Sequence, residues 1–552
     1  MMKKSSFING AFIATFGIFV AKFLGIIYVV PFYHIIGEQN GSLYGYAYTI
    51  YNLFLSLSTI GLPTAMSKIV SEYNTLEYYY TKEKAYKIGS ILVTALGVLS
   101  FIILFIFAPS IAKAIIGDNI GGNTIEDITF VVRIISTAIL FVPMLSISKG
   151  YLQGHKFIAP SSISQILEQI IRVAIIIVGS YTFLNVFHLG ITNAVGVAVF
   201  GATAGAIGAL WYVLNKIKKN KKQLNKNSNP KEEEKSITTK EIAKKIITYA
   251  IQFVLFGITI SIYEFIDMLT VVKTLTTSLG YSITDAESII GVINTWGNKL
   301  NSIVIAISIG LTTSLIPNIT SSFVAGKLDD VRKKINQALQ VLLYVSLPIT
   351  FGLSFLSIPV FNAFYGANTW GPIVFKYSVF IALANCIFNT TVVMTQSINK
   401  YKAVFISLIS GVLFKLIFNV PIMELTHNLG IQGFYGSITT TLLGLGITII
   451  INLIMLKKYV KVSYKTTINE LSKMIISLVV MFIALLIMMF IIPLYNPSRI
   501  ISILIVILYA GIGALIYFGL TYKLKVVNNI FGKNFINNIL AKLKIRQNNT
   551  NQ

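Results

Sequence analysis

The chain is dominated by uninterrupted apolar stretches of twenty or more residues. An α-helix rises about 1.5 Å per residue, so about 20 apolar residues cross a hydrocarbon core of about 30 Å. Charged residues make up 12% of the 552 positions, whereas soluble globular proteins carry about 25%. The pattern predicts an all-α polytopic membrane protein with fourteen transmembrane helices. It excludes a soluble enzyme, a secreted domain and a disordered tail.

The basic residues are concentrated in alternate loops. The chain has 45 Lys and Arg against 20 Asp and Glu, a formal net charge of +25. In a membrane protein, loops rich in Lys and Arg stay in the cytoplasm. Eleven lysines lie between Lys216 and Lys245 alone. We therefore expect a multi-pass protein with both termini in the cytoplasm, which requires an even number of spans, and we expect no nucleic-acid partner.

Two features divide the chain into regions. Residues 216–245 are polar, mixed in charge and interrupted by Pro230, which is typical of a linker. STIGLPT at 58–64 is echoed by ISIGLTT at 307–313, and repeats of one orientation predict two lobes with pseudo-two-fold symmetry, as in transporters that bind substrate between lobes. The predicted regions are an N-terminal lobe (1–215, six helices), a cytoplasmic basic linker (216–245), a C-terminal lobe (246–460, six helices) and two extra helices with a cytoplasmic tail (461–552).

The sequence carries no motif for a cofactor or a metal. Cys386 is the single cysteine and lies in an apolar run, so neither an intrachain disulfide nor a cysteine-based metal site can form. There is no H-E-x-x-H, no P-loop and no G-x-G-x-x-G after a strand. We predict that the chain is not an enzyme and that it binds neither a metal nor an organic cofactor.

Three cations are predicted to lie near the middle of their spans. Lys22, Arg172 and Lys415 are each about 15 Å from either membrane surface, too deep for the side chain to reach the headgroups. A charge at this depth costs about 2.5–3.5 kcal/mol, so these cations are predicted to face a wet cavity or an anion. Lys299 lies at an intermediate depth, where either role fits.

Two pairs of ionisable residues share a helix face. Glu168 and Arg172 are spaced i, i+4 and can form an ion pair that serves the site or only neutralises itself. Glu264 and Asp267 are spaced i, i+3, which favours a role in proton or Na⁺ coupling. A salt bridge from this second pair to Lys273 or Lys299 is the equally weighted alternative.

Four segments resemble a known family. They are AKFLGIIYVVPFYHIIG at 21–37, STIGLPTAMSKIVSEY at 58–73, YLQGHKF at 151–157 and NTWGNKLNSIVIAISIGLTTSLIPNITSSF at 294–323. In order and spacing they resemble the polysaccharide-exporter and MurJ branch of the MOP flippase superfamily. Within it, the chain is most similar to the MurJ-like lipid II flippases and the stage V sporulation protein B group.

The resemblance implies an inverted-V molecule of the bacterial plasma membrane that moves an undecaprenyl-pyrophosphate-linked saccharide to the outer leaflet. A-K-F-L-G and G-N-K-L match family motifs that carry essential arginines, which implies that Lys22 and Lys299 bind substrate. A second family arginine of the first span falls at Tyr28, and the one expected in the second span has no basic counterpart before Lys68. Lysine holds phosphate less directionally than arginine does.

Together these observations predict an alternating-access flippase for a lipid-linked saccharide in peptidoglycan biosynthesis, most simply lipid II. Lys22, Lys299, Arg172 and Lys415 would bind the pyrophosphate, and membrane potential, H⁺ or Na⁺ would drive the cycle. The alternatives are a flippase for a teichoic, capsular or sporulation-related unit, a cation/drug antiporter of the MATE type, and a non-transporting scaffold. Membrane lipids and the cell-wall synthesis machinery are the expected partners.

Overall fold

The computed structural model describes residues 20, 24–25, 27–59, 61–117, 122–224, 232–235 and 237–532. Within these ranges, the description of the side chains leaves out those at 57–59, 61–62, 64, 222, 233, 235, 249–256, 307–318, 321 and 324. Lys22 lies outside the described residues.

The described chain folds into helices and connecting turns, with no β-strand in the ranges given above. The helices are α1 (Val29–Ile36), α2 (Gly41–Thr59), α3 (Gly61–Thr75), α4 (Tyr79–Ile116), α5 (Ile125–Ser136), α6 (Ala138–Gly154), α7 (Ile158–Ala174), α8 (Ile191–Lys219), α9 (Lys221–Leu224), α10 (Glu232–Lys235), α11 (Thr239–Thr277), α12 (Ile283–Gly291), α13 (Gly297–Val324), α14 (Leu328–Phe355), α15 (Ser357–Tyr365), α16 (Trp370–Ser397), α17 (Tyr401–Asn428), α18 (Phe434–Val460), α19 (Lys465–Ile491), α20 (Arg499–Lys523) and α21 (Val526–Phe531).

Ten helical segments, counted over the described residues only, are long and apolar enough to cross a membrane. They are α4, α5 together with α6, α7 with its extension to Val186, α8, α14, α16, α17, α18, α19 and α20. The prediction of an all-α polytopic membrane protein is therefore confirmed. The count of fourteen spans stays a prediction.

Local sequence explains where several helices begin. Thr124 precedes α5, where its hydroxyl accepts a hydrogen bond from the Asp127 amide at 3.1 Å and the Asp127 carboxylate accepts one from the Thr124 amide at 2.9 Å. Thr238 and Glu241 form the same reciprocal pair at the start of α11. Each pair satisfies two backbone donors that a helix start otherwise leaves open.

Two helices that carry candidate site residues change their winding. α7 continues through π-helical segments at Ile175–Gly179 and Thr182–Val186, just after Arg172. A third π-helical segment, Val292–Trp296, joins α12 to α13 just before Lys299. Such segments are uncommon and occur frequently at functional sites. Their positions beside Arg172 and Lys299 therefore favour a functional role for this part of the backbone.

The described chain divides into two compact units. Unit 1 comprises the described residues within 1–300 and 408–444, and unit 2 comprises the described residues within 301–407 and 445–552. The boundaries of the units fall inside α13, α17 and α18. The predicted six-helix lobes, which were divided at the linker instead, stay a prediction.

Close packing in unit 1 depends on small residues. α8 lies against α7, where a methyl group on Gly205 would approach the carbonyl oxygen of Glu168 to 2.6 Å and one on Gly201 would approach that of Arg172 to 3.0 Å. Small residues let helix backbones come together within a membrane. These two glycines therefore allow α8 to support α7 at the level of its ion pair.

Part of the predicted linker packs on the start of α4. The Lys82 ammonium, fully buried, donates to the Leu224 carbonyl at 2.7 Å, and the buried Glu234 carboxylate accepts from the Thr81 amide at 2.7 Å. The sequence predicted a polar connection here, and its described residues make specific contacts within unit 1.

In unit 2, α14 packs against α16 and α19, and α19 packs against α20. A core of buried side chains lies where α14 meets the ends of α16 and α18 (Ile319, Val331, Ile335, Ala338, Leu339, Met394, Ile398, Leu456, Val460 and Val462). α19 and α20 also present many exposed apolar side chains, which is what a lipid-facing helix requires.

Candidate functional site

The first charged cluster of unit 1 joins α6 to α7. Glu168 accepts hydrogen bonds from Arg172 Nη2 at 2.8 Å and from Lys149 Nζ at 3.1 Å. All three side chains are mostly buried, with 14% of Glu168 and Arg172 and 17% of Lys149 exposed. Two cations thus share one anion, and the buried Nε of Arg172 has no hydrogen-bond partner among the described residues. The cluster has one positive charge more than it has negative.

Tyrosines on α2 form a face beside this cluster. Tyr44, Tyr48 and Tyr51 follow the i, i+4, i+7 spacing of one helical stripe, with ring centroids 4.4 Å apart for the first pair and 5.8 Å for the second. All three interact electrostatically with Arg172. The hydroxyl of Tyr28 lies 3.1 Å from that of Tyr44. We call Tyr28, Tyr44, Tyr48 and Tyr51 the tyrosine face.

Lys299 lies at the other end of the tyrosine face. Its ammonium is 5.4 Å from the centre of the Tyr28 ring, and it interacts electrostatically with Tyr48. Two hydrogen bonds hold the preceding π-helical segment against the start of α2, from Trp296 Nε1 to the Glu38 carbonyl and from Thr295 Oγ1 to the Gly41 carbonyl. These contacts fix the helix that carries Lys299 beside Tyr28.

Glu264 on α11 belongs to the surroundings of Lys299. It accepts a hydrogen bond from Asn298 Nδ2 at 3.3 Å and interacts electrostatically with Lys299. Of the alternatives that the sequence left open, proximity to a lysine is therefore the geometry observed for Glu264.

The second charged cluster joins α11, α17 and α18. The Lys415 ammonium contacts Asp267 Oδ1 at 2.6 Å, Thr441 Oγ1 at 2.6 Å, the Ser437 carbonyl at 3.0 Å and Thr440 Oγ1 at 3.4 Å. Lys415 is fully buried, and 6% of the Asp267 side chain is exposed. Asp267 Oδ1 also accepts from Ser437 Oγ at 2.6 Å. The two charges neutralise each other.

The structure sorts the predicted residues into groups. Arg172 and Glu168 form the predicted ion pair, and Arg172 and Lys299 lie beside the same tyrosine face. Lys415 is held by Asp267 instead, so its ammonium is occupied by protein groups in this conformation. Glu264 and Asp267 share a helix but have different partners.

Sequence reasoning missed three members of this constellation. Lys149 lies 19 residues before Glu168, and this distance along the chain gives no sign that the two side chains make contact. Tyr44 and Tyr48 carry a usable signal in their i, i+4, i+7 spacing with Tyr51, but aromatic stripes are also common in ordinary cores.

The surroundings of Arg172 and Lys299 suit an anionic group. Guanidinium, ammonium and phenol groups all donate hydrogen bonds to phosphate oxygens. No cluster of three or more His, Cys, Asp or Glu side chains that could hold a metal occurs among the described residues. The chemistry available at the site is therefore recognition of an anion through fixed charges and hydroxyl donors.

Comparison with known proteins places the chain in a family. The profile described as "Polysaccharide biosynthesis protein" matches residues 7–323. The chain belongs to this family. This polysaccharide biosynthesis family member is 31% identical over 542 residues to the protein named lipid II flippase MurJ of Bacillus subtilis (strain 168), and the alignment covers 96% of the chain and 97% of that relative. The resemblance stated from the four sequence segments is confirmed.

Solved structures share the fold of this family member. A structure titled "Lipid II flippase MurJ, inward closed conformation" superposes with a TM-score of 0.62 at 17% identity, covering 91% of the chain and 98% of that structure. An inward-facing multidrug resistance MATE family transporter of the MOP superfamily superposes with a TM-score of 0.61 at 12% identity, covering 80% and 94%. The polysaccharide biosynthesis family member thus has the MOP superfamily fold.

Proposed function

We propose that this protein moves a lipid-linked saccharide across the bacterial plasma membrane by alternating access, without enzymatic chemistry. The observation that carries the proposal is the grouping of Arg172 and Lys299 beside one tyrosine face. A pyrophosphate linkage needs cationic donors at membrane depth. The 31% identity to a protein named lipid II flippase supports the same class of cargo.

In this proposal Glu168 acts as an internal stand-in for the substrate. Without cargo, Glu168 pairs with both Arg172 and Lys149 and compensates one of their two charges. When the pyrophosphate binds, its oxygens accept hydrogen bonds from the Arg172 guanidinium in place of Glu168. Lys299 and tyrosine hydroxyls donate to the remaining pyrophosphate oxygens. A bidentate guanidinium contact is directional, so Arg172 sets the orientation and Lys299 adds charge. Lys22 is a further candidate for this group. Lys415 is assigned a structural role.

The finer proposal names lipid II as the substrate, with flippases for teichoic, capsular or sporulation-related units as the alternative. The near full-length similarity to the Bacillus subtilis relative supports lipid II. We also propose a part in cell-wall synthesis, with the synthesis machinery as a partner. Both termini are proposed to lie in the cytoplasm, because Lys and Arg are concentrated in the loops on that side.

We further propose that the cycle is driven by membrane potential or by a cation that binds near Glu264. One elementary charge moved through 100 mV gains about 2.3 kcal/mol, which is enough to bias a two-state cycle. Asp267 is committed to Lys415, so Glu264 is the carboxylate of the predicted pair that remains for coupling.

The deciding experiment reconstitutes the purified full chain into liposomes that contain fluorescent lipid II, and follows arrival of the label at the opposite leaflet with an impermeant quencher. We expect the Arg172→Gln, Lys299→Gln double variant to transport at least about tenfold more slowly, because each lost charged hydrogen bond is worth about 1.5–3 kcal/mol. Lys273→Gln is the matched control, because it removes an exposed lysine from α11.

Unchanged transport in the double variant would defeat the proposal, provided that both proteins insert equally and elute as single species. A parallel assay with an undecaprenyl-pyrophosphate-linked teichoic precursor separates the two cargo proposals. If that precursor moves faster than lipid II, the lipid II assignment is wrong and the broader flippase proposal stands. An unchanged transport rate in the Glu264→Gln variant would overturn the proposal of cation coupling at Glu264 and would leave membrane potential as the driving force.

A further inference from the structure

A basic cavity lies in unit 2, at the turn between α18 and α19. Its volume is about 1140 Å³, and Lys457, Lys461 and Lys465 line it together with Tyr464, Thr466 and Ile468. Among the residues that the structure describes, no Asp or Glu lines this cavity. All three lysines are exposed, so their charges converge on a space open to a ligand. We call it the lysine cavity.

The local backbone explains why the three lysines meet. They are spaced four residues apart, at the end of α18, in the turn and at the first residue of α19. Lys461 adopts a left-handed conformation with φ of 56°, which reverses the chain direction. No side chain caps the start of α19, so the amides of its first turn add partial positive charge beside the lysines.

The neighbouring cavity of about 910 Å³ adds Arg332 and Lys333 and shares Lys461 with the first. Among the described residues, the acid that lines this second cavity is Glu470, whose Oε1 accepts hydrogen bonds from Lys473 at 2.8 Å and from Asn529 at 2.9 Å. Arg332 is paired with Asp329 at 2.6 Å, so the excess positive charge of the region comes mainly from its lysines.

An exposed apolar stripe begins at the lysine cavity and runs along α19. It consists of Ile468, Ile476, Val479, Ile483, Ile487 and Phe490, spaced three, four or eight residues apart on one helix face. Each is more than half exposed, from 52% for Val479 and Ile483 to 87% for Phe490. Ile468 belongs to both features, since it also lines the cavity. A ligand that fits both has an anionic head joined to hydrocarbon.

We propose that the lysine cavity binds the headgroup of an anionic phospholipid of the surrounding bilayer, such as phosphatidylglycerol, whose acyl chains lie along the α19 stripe. Lysines at the end of a membrane-spanning helix attract anionic headgroups. The absence of a lining acid favours an anionic headgroup over a zwitterionic one, and the apolar stripe favours a lipid over a soluble phosphate compound. The site shares no residue with the Arg172 and Lys299 constellation and does not depend on the transport proposal.

The test measures lipid binding to the delipidated full chain by native mass spectrometry, with phosphatidylglycerol and phosphatidylcholine of identical acyl chains. The parent chain should bind phosphatidylglycerol about tenfold or more tightly than phosphatidylcholine. The Lys457→Gln, Lys461→Gln, Lys465→Gln variant should lose that preference. The control, Lys218→Gln, Lys219→Gln, Lys221→Gln, carries the same change in net charge at exposed positions of unit 1 and should keep it.

Two competing ligands distinguish a bilayer phospholipid from a soluble anion and from the transported lipid. Inorganic phosphate at matched ionic strength should not displace phosphatidylglycerol, and undecaprenyl phosphate should displace it no better than phosphatidylglycerol itself does. Displacement by phosphate would make this a soluble-anion site, and tighter binding of undecaprenyl phosphate would assign it to the transported cargo. Either result overturns the proposal, as does an unchanged preference in the triple lysine variant.

Discussion

The two charged clusters of unit 1 are built from similar residues and differ in balance. Lys415 and Asp267 form a one-to-one pair that is almost completely buried, and four oxygens surround the ammonium. Around Glu168, two cations share one carboxylate, and the Nε of Arg172 has no partner among the described residues. The Lys415–Asp267 cluster is closed within the protein. The cluster around Glu168 keeps one positive charge and one hydrogen-bond donor without a partner among the described residues.

The comparison shows that depth in the membrane does not by itself identify a substrate-binding cation. A buried charge needs compensation, and the protein can supply it completely, as it does for Lys415, or incompletely, as it does for Arg172. An anionic ligand can compensate the residual positive charge and accept hydrogen bonds from the neighbouring hydroxyl groups. We therefore base the proposed binding site on the excess positive charge around Arg172 and Lys299. Lys415 has a structural role instead, because it neutralises Asp267.

The largest effect is expected from Lys415→Met. This change leaves Asp267 buried beside hydroxyl and amide groups with no cation, and breaking a buried pair in this way costs about 3–5 kcal/mol. The melting temperature of the purified protein in detergent should fall strongly. The Lys415→Met, Asp267→Asn double variant removes the stranded charge and should recover most of the loss. A single variant as stable as the parent would show that the pair contributes nothing.

An intermediate effect is expected from Glu168→Gln. The amide keeps the size of the side chain but leaves Arg172 and Lys149 without their shared anion, at a cost of about 1–3 kcal/mol. Because the two cations are partly exposed, the loss should be smaller than for Lys415→Met. The same variant should bind inorganic pyrophosphate more tightly, as measured by calorimetry, because the internal competitor is gone. Weaker binding would mean that Glu168 contributes to the anion site directly.

The sequence predicts some of these contacts well and others poorly. The Glu168–Arg172 pair follows from i, i+4 spacing, and the helix starts at Thr124 and Thr238 follow from short capping patterns, because these interactions are local. The Lys415–Asp267 pair joins residues 148 positions apart. Only the packing of α11 against α17 and α18 decides that Asp267, and neither Glu264 nor a substrate, neutralises Lys415.

The same limit applies to the tyrosine face and the lysine cavity. The periodicity of Tyr44, Tyr48 and Tyr51 indicates a shared helix face, but the cations that this face meets come from α7 and α13. Lys457, Lys461 and Lys465 were predicted only as topological charges. Their convergence depends on the left-handed turn at Lys461, which sequence spacing does not reveal.

The smallest effect is expected from Glu72→Gln, which breaks the pair between Glu72 and Lys245. Their Oε1 and Nζ atoms are 2.6 Å apart, closer than those of the Glu168 pairs, yet 38% and 28% of the side chains are exposed. Water and ions screen such a pair, so it is worth about 0.2–1 kcal/mol. The change in melting temperature should be small, and it should vanish at about 1 M salt, where the screening length is about 3 Å. The loss in Lys415→Met should persist at that salt concentration, because its partners are shielded from solvent. If salt reduced both losses in melting temperature equally, solvent exposure would not explain the difference between these ion pairs. The distinction between a fully buried pair and a partly exposed one would then be wrong.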